Sequence, residues 1–264
     1  MVFSPHIISL LTDFGTQDGF VGIMKGVILG INPSASIVDL SHEVPPQDIL
    51  TGALILRSAV AFFPSRTIHV VVIDPGVGSG RRAIMVETAT ALLVGPDNGV
   101  LSLAAPPDSV QRIIHLTNRQ YFLPHVSQTF HGRDVFAPVA AHVSRGVPLE
   151  ECGPSVTSME QLTLPTVERA TTQVAGCVIA IDRFGNLVTN ITATDLLPFP
   201  MERLSVSIGP VQIYSLASTY ASVPVGAVTA LINSWGFLEI AVRNGSAAQQ
   251  LGVQRGSLVT ITHL

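Results

Sequence analysis

Residues 69–82 read His-Val-Val-Val-Ile-Asp-Pro-Gly-Val-Gly-Ser-Gly-Arg-Arg. The β-branched run from His69 to Ile73 stops at Asp74 and gives way to a glycine-rich loop that delivers Arg81 and Arg82. A short, unbroken apolar run bounded by turn residues marks a strand buried on both faces. The same pattern recurs upstream, where Ile7 to Thr12 ends at Asp13-Phe14-Gly15 and Ile37 to Leu40 forms another run. Phe20, Met24, Val27 and Ile31 follow at helical spacing, and Ile49 to Phe62 repeats that signal. Strands alternating with helices predict an α/β domain with a largely parallel sheet. Acids at its strand ends would point into the crevice where open α/β sheets bind ligands.

Beyond this region the pattern changes. Gly153 to Thr172 is rich in Pro, Ser and Thr and reads as a linker. Gly176 to Asp182 and Leu187 to Thr192 are strand-like runs around Arg183-Phe184-Gly185-Asn186, followed by runs at Leu204 to Ile208, Val228 to Ile232 and Phe237 to Val242. Short strands separated by turn signals predict a small all-β barrel or sandwich. The expected organisation is an N-terminal α/β catalytic domain over residues 1–165 and a smaller, barrel-like C-terminal domain over 166–264. Only His263 of the eight histidines lies in the second part, so the chemistry concentrates in the first.

Composition narrows the function. Of 264 residues only 12% are charged, about half the roughly 25% usual for soluble domains, which argues against disorder and coiled coil and suggests surface buried in an oligomer. Fourteen basic and 18 acidic residues leave a net charge of −4, and Lys25 is the one lysine. Nucleic-acid capture needs a basic stripe, and none is present. No apolar run approaches the roughly 18 residues of a membrane span. The start, MVFSPHIISLLTDFG, lacks the basic n-region of a signal peptide, so a cytoplasmic protein is expected. Cys152 and Cys177 show no CxxC or zinc-like spacing and read as buried thiols, with no metal site.

Asp74 before a glycine loop serves equally well as a turn cap or a catalyst. The loop is not a phosphate loop, because the Lys-Ser/Thr ending is missing, and no GxGxxG opens a helix after a strand. Thr129-Phe130-His131-Gly132-Arg133-Asp134 precedes a helix with Val135, Val139 and Val143 on its apolar face. The helix dipole accounts for Asp134 in the first turn. His131, just outside it, is placed to orient or deprotonate a nucleophile. His42, His69, His115, His125 and His142 have no paired ligand spacing and read as structural or surface residues.

Taken in order, LLTDFGTQDGFVGIMKG, DLSHEVPPQDI, VVIDPGVGSGRRAI, VGPDNGVL, TFHGRDVFAP, IDRFGNLVTNI and INSWGFLEIAVRNGSAA resemble the successive motifs of the S-adenosyl-L-methionine hydroxide adenosyltransferases, relatives of the fluorinases and chlorinases. The resemblance implies an N-terminal α/β domain, a C-terminal β-barrel and a homotrimer whose sites lie between subunits. It also implies cleavage of S-adenosyl-L-methionine by water at the ribose C5′ to give adenosine and L-methionine, with no cofactor and no metal. The family's catalytic aspartate, arginine and histidine fall on Asp74, Arg81 and His131. A sulfonium is already a good neutral leaving group, so the site need only supply an oriented water or hydroxide in line with C5′.

By the same resemblance, Asp13 accepts the ribose hydroxyls, Asp182 the methionine ammonium, and Ser234 contacts the methionine carboxylate. Phe184 and Tyr220 supply aromatic walls for adenine, and Asn186 a polar contact to its edge. At Trp235 it is the backbone N–H rather than the indole that matters. The halogenating relatives carry tyrosine and serine where this chain has His131 and Gly132, and they lack the DPGVGSGRR loop. Gln47 stands where the fluorinase has an aromatic wall. The alternatives are a halide-dependent adenosyltransferase forming 5′-halo-adenosine, and a non-catalytic S-adenosylmethionine- or adenosine-binding protein.

Overall fold

Six residues, Ile7–Thr12, form β1, and all but the first are buried. The computed structural model describes residues 7–199 and 204–263; the first six residues of the N-terminal stretch read above lie outside them. After β1 come α1 (Phe20–Ile31), β2 (Ser36–Ser41), α2 (Ile49–Val60), β3 (Thr67–Val72), β4 (Ala83–Thr88), β5 (Ala91–Pro96), β6 (Val110–His115), α3 (Ala137–Ser144) and β7 (Ser155–Val156). The strands form one sheet in the order β2-β1-β3-β5-β4-β6-β7. Its first four strands pair in parallel, with Ile8 opposite both Ile37 and Ile68, and Ile68 opposite Leu92. β4, β6 and β7 extend it antiparallel, an edge that sequence periodicity did not reveal.

Side chains alternate across the sheet. Ile68, Val70 and Val72 face one core with Met24 and Ile28 of α1 and Val139 of α3. Val71 and Ile73 face a second core with Leu56 of α2. Both faces are covered, which is why β3 is apolar at nearly every position. Asp48 caps α2, its carboxylate accepting from the Thr51 backbone N–H at 3.1 Å and hydroxyl at 2.7 Å, a device worth about 1 kcal/mol.

The chain divides after Leu162 into two compact units. The Pro/Ser/Thr-rich stretch is no free linker in its first half. β7 pairs with β6, Met159 is buried, and the Glu160 and Leu162 backbone N–H groups donate to Asp97 and Ser102.

The second unit contains β8 (Glu168–Ala170), β9 (Gln173–Ile181), β10 (Leu187–Thr192), α4 (Ala193–Leu196), β11 (Leu204–Ile208), β12 (Val211–Tyr214), β13 (Val228–Ile232), β14 (Phe237–Val242), α5 (Ala247–Leu251) and β15 (Leu258–His263). Every pairing among these strands is antiparallel, in the order β12-β11-β15-β9-β10-β14-β13, with β8 beside β9. The end strands β12 and β13 approach each other, so the sheet curls into a nearly closed barrel. Leu187, Ile191, Val206, Leu238, Ile240 and Ile261 fill its interior. Each such buried side chain contributes about 1.5–3 kcal/mol.

Candidate active site

In the first unit, β1 and β3 are adjacent parallel strands that end at the same edge of the sheet. Asp13 and Asp74 follow their last residues and line one cavity of about 410 Å³, with Gln47, Phe130 and His131. The chain runs from β1 to β2 on one side and continues from β3 toward β5 on the other, the switch-point geometry where open α/β sheets bind ligands.

The Asp13 turn is braced from beneath. The Thr12 hydroxyl lies 2.9 Å from His42 Nδ1 and accepts from the Phe14 N–H, while the Gly15 N–H donates to the His42 carbonyl at 2.7 Å. His42 is thus a buried structural histidine. Asp13 Oδ2 accepts from the Gln47 backbone N–H at 2.7 Å. Gln47 holds φ at +65°, a left-handed conformation uncommon outside glycine. It therefore contributes a backbone donor where the sequence suggested only a missing aromatic wall.

Asp74 and Arg81 belong to one folded-back loop. The Ser79 N–H and hydroxyl both donate to the Gly76 carbonyl, and the Arg81 N–H donates to the Ser79 hydroxyl. This returns the guanidinium to Asp74, where Nε donates to Oδ1 at 2.9 Å and Nη2 to Oδ2. Gly78 has φ +77°, and a Cβ there would lie 2.4 Å from the Gln128 carbonyl oxygen. Only glycine lets the loop approach the segment that leads to His131. Asn98 Nδ2 donates to the Ile73 carbonyl at 2.9 Å and so fixes the strand end that presents Asp74.

His131 completes the cluster. Arg81 Nη2 lies 2.8 Å from His131 Nδ1. A guanidinium has no acceptor, so Nδ1 must accept and, in the neutral ring, the hydrogen sits on Nε2. Burial, and then the Arg81 charge, push the His131 pKa down. Asp74, Arg81 and His131 are thus one hydrogen-bonded chain. Asp74 and His131 face the cavity, while Arg81, its side chain 10% exposed, packs behind them over the Phe136 ring.

The structure adds detail to this segment. The helix carrying this segment opens as a π turn, Gly132–Phe136, before continuing as α3. Asp134 is fully buried; its carboxylate accepts from the Ser127 N–H at 2.8 Å and pairs with Arg133. It stands in the first turn of the helix, as expected, and in addition ties down the loop before His131. A Cβ on Gly132 would meet Met24, Phe130 and Val72 at 3.2–3.4 Å, so a larger residue crowds this corner.

In the second unit, Asp182, Phe184, Asn186, Tyr220 and Ser234 line a cavity of about 650 Å³. The Asp182 carboxylate gathers its own turn. Oδ1 accepts from the Phe184 and Asn186 N–H groups at 2.9 and 2.8 Å, and Oδ2 from Asn186 Nδ2 at 2.9 Å. Asn186 thus spends its side-chain nitrogen on Asp182. Phe184 is 76% exposed and Tyr220 42%, so neither ring is core packing. The Trp235 N–H donates to Asn233 Oδ1 and is used inside the turn, contrary to the expected ligand contact. Asn233 and Glu239 also line this cavity and were not singled out from sequence. A lone acid in the apolar run FLEIAV was the available signal.

Among the described residues, no group of three or more His, Cys, Asp and Glu side chains is arranged to hold a metal ion, and no helix is long and apolar enough to cross a membrane.

Comparison with known proteins places this geometry among relatives. Residues 8–153 match the SAM hydroxide adenosyltransferase N-terminal domain, and residues 176–260 the C-terminal domain. A protein of Salinispora tropica named (R)-S-adenosyl-L-methionine hydrolase is 39% identical over 97% of each chain. A fluorinase of an Actinoplanes species is 26% identical, again over 97% of each. The crystal structure of an uncharacterized conserved protein from Thermotoga maritima superposes with a TM-score of 0.91 at 39% identity, covering 97% of this chain and all of that one.

Proposed function

The chain belongs to the SAM hydroxide adenosyltransferase family, and we propose that it is an S-adenosyl-L-methionine hydrolase that adds water at the ribose C5′ and releases adenosine and L-methionine. Relatives near 39% identity are named for the (R) form, so the (R) sulfonium epimer is the substrate assigned. The observation that carries the chemistry is the Asp74–Arg81–His131 chain at the edge of a ligand-sized cavity.

The hydrogen-bond directions distribute the work. His131 Nδ1 is engaged by Arg81, so Nε2–H donates to the oxygen of the attacking water and aims a lone pair at C5′. Asp74 is the trio's remaining acceptor. Its carboxylate has about four lone-pair sites, and Arg81 fills two, leaving others to receive the water's hydrogen as the C5′–O bond forms. The C5′–S electron pair leaves with methionine as a neutral thioether, and the proton passes from Asp74 to solvent. Arg81 holds both partners in place by charge-assisted bonds. Neutral imidazole suits this donor role, because His131⁺ would bring a second cation beside Arg81.

Asp13, whose Oδ2 already takes the Gln47 N–H, offers its free lone pairs to the ribose hydroxyls. Asp182 and Ser234 take the methionine ammonium and carboxylate, Phe184 and Tyr220 flank adenine, and the free oxygen of Asn186 accepts from its amine. We further assign a cytoplasmic homotrimer in which the first unit of one subunit and the second unit of its neighbour share each substrate. The small charged fraction of 12% supports extensive subunit contact.

Turnover in ¹⁸O-water tests the mechanism. Adenosine should carry the label at its 5′ oxygen. Unlabelled adenosine sinks water attack; a 5′-halo-adenosine when chloride or fluoride is supplied points instead to the adenosyltransferase; binding without turnover points to a carrier.

A further inference from the structure

The second unit's cavity contains a carboxylate with no part in the reaction just assigned. Glu239 lies in β14, whose six residues are all buried. Leu238, Ile240 and Val242 point into the barrel core, whereas Glu239 faces the cavity and is 3% exposed. Withdrawing a carboxylate from water costs several kcal/mol unless hydrogen bonds offset it, and an apolar residue would suit the strand better.

Its two oxygens are divided between two parts of the cavity wall. One accepts from the Tyr220 hydroxyl at 2.7 Å, the other from Asn233 Nδ2 at 3.0 Å. The orientation of the Asn233 amide is forced, because its oxygen accepts from the Trp235 and Phe237 N–H groups at 3.0 and 3.1 Å. Glu239 therefore ties together the turn that carries Ser234 and the aromatic ring opposite it. Tyr220 needs such an anchor, since it sits in a short 3₁₀ turn, Tyr220–Ser222, rather than in a strand.

We propose that Glu239 is the positioning residue of this half-site, holding the Tyr220 ring and the Ser234 turn in the arrangement that binds substrate while touching none of the reacting atoms. The proposal rests on the reading that this cavity binds S-adenosylmethionine. Burial raises the pKa of both Glu239 and Tyr220; their shared hydrogen bond adds to the rise at the phenol and opposes it at the carboxylate.

Three variants and two readouts test it. Glu239→Leu removes both bonds. Glu239→Gln can keep both, its oxygen accepting from Asn233 and its amide donating to the Tyr220 oxygen, since a phenol both donates and accepts. A hydrogen bond to a charged group is worth enough that Glu239→Leu should raise KM about tenfold or more, with kcat nearly unchanged, while Glu239→Gln stays within about threefold of the parent. Trp235 is the single tryptophan, so its fluorescence reports the turn in the free protein whether or not turnover occurs. The Leu variant should shift that emission and the Gln variant should not.

The proposal falls if Glu239→Leu leaves KM and emission at parent values, or if it lowers kcat at constant KM. It also falls if Glu239→Gln is as impaired as Glu239→Leu, since that would make the charge itself the contact. Should the Leu variant not fold, Tyr220→Phe takes its place, and an unchanged KM overturns the proposal. A parent protein with no turnover, by contrast, defeats the functional reading and leaves the emission test of the network standing.

Discussion

The two cavities hold their polar groups in opposite ways. In the first unit the side chains proposed to carry the chemistry hold each other through a single guanidinium: Arg81 bonds Asp74 seven residues away and His131 fifty residues away. In the second unit much of the cavity wall is built from turns that satisfy their own backbone, with Glu239 bridging the Asn233 turn and Tyr220. Asp182 accepts from residues two and four positions on, and Asn233 does the same. The lesson is a division of labour. Groups that must react together need a fixed mutual geometry that only packed elements supply, whereas a ligand cradle can take most of its polar atoms from local turns and needs few bridges between them.

The largest expected effect strikes the first unit alone. Asp74→Ala, His131→Ala and Arg81→Ala should each lower kcat by about 10²–10⁴-fold, leaving substrate affinity within about tenfold. Arg81→Lys should be nearly as damaging, because an ammonium cannot bridge a carboxylate and an imidazole with one planar fork. Steady-state kinetics with calorimetric titration checks this. If Asp182→Ala lowers kcat as much with KM unchanged, the contrast between the cavities is lost.

A mixing experiment asks whether each cavity is half of one shared site. Equal amounts of Asp74→Ala and Asp182→Ala chains, assayed at substrate well below the raised KM of the Asp182 variant so that each is inactive alone, should together regain about a quarter of the parent activity after subunit exchange, since one random neighbour pair in four has both residues intact in a closed ring. Mixtures that exchange subunits and stay inactive would mean that each chain completes its own site.

The smallest effect concerns stability and tests whether acid sensitivity also resides in the first unit. His69 is fully buried beside Ser9, and burial pushes its pKa down to about 4. The native state therefore resists protonation that the unfolded chain accepts near pH 6.5. Stability is full above that pH and declines as pH falls from 6.5 toward 4, by up to about 3 kcal/mol. Urea midpoints measured from pH 7 to 4 should fall less steeply in His69→Leu than in the parent.

Much of this was legible in the amino-acid sequence because it is local. Leu187–Thr192, Leu204–Ile208, Val228–Ile232 and Phe237–Val242 are strands over the residues that their apolar runs delimit. Asp13 and Asp74 stand at strand ends because an acid followed by glycine within a few residues ends an apolar run in any context. The ordered motifs identified the family and nominated the trio, since they record chemistry by residue type. Sequence periodicity could not find the antiparallel edge of the first sheet, because pairing partners are chosen by distant strands. Nor could it foresee the left-handed Gln47, imposed by an N–H that must meet Asp13 across 34 residues, or the burial of Asp134 under the loop before His131. The direction of the hydrogen bond from Arg81 to His131, on which the imidazole's role depends, exists only where two remote segments are packed within 2.8 Å. Residue type and spacing thus determined what chemistry the chain carries, and tertiary packing decided which atoms donate, which accept and which side chain stands behind the others.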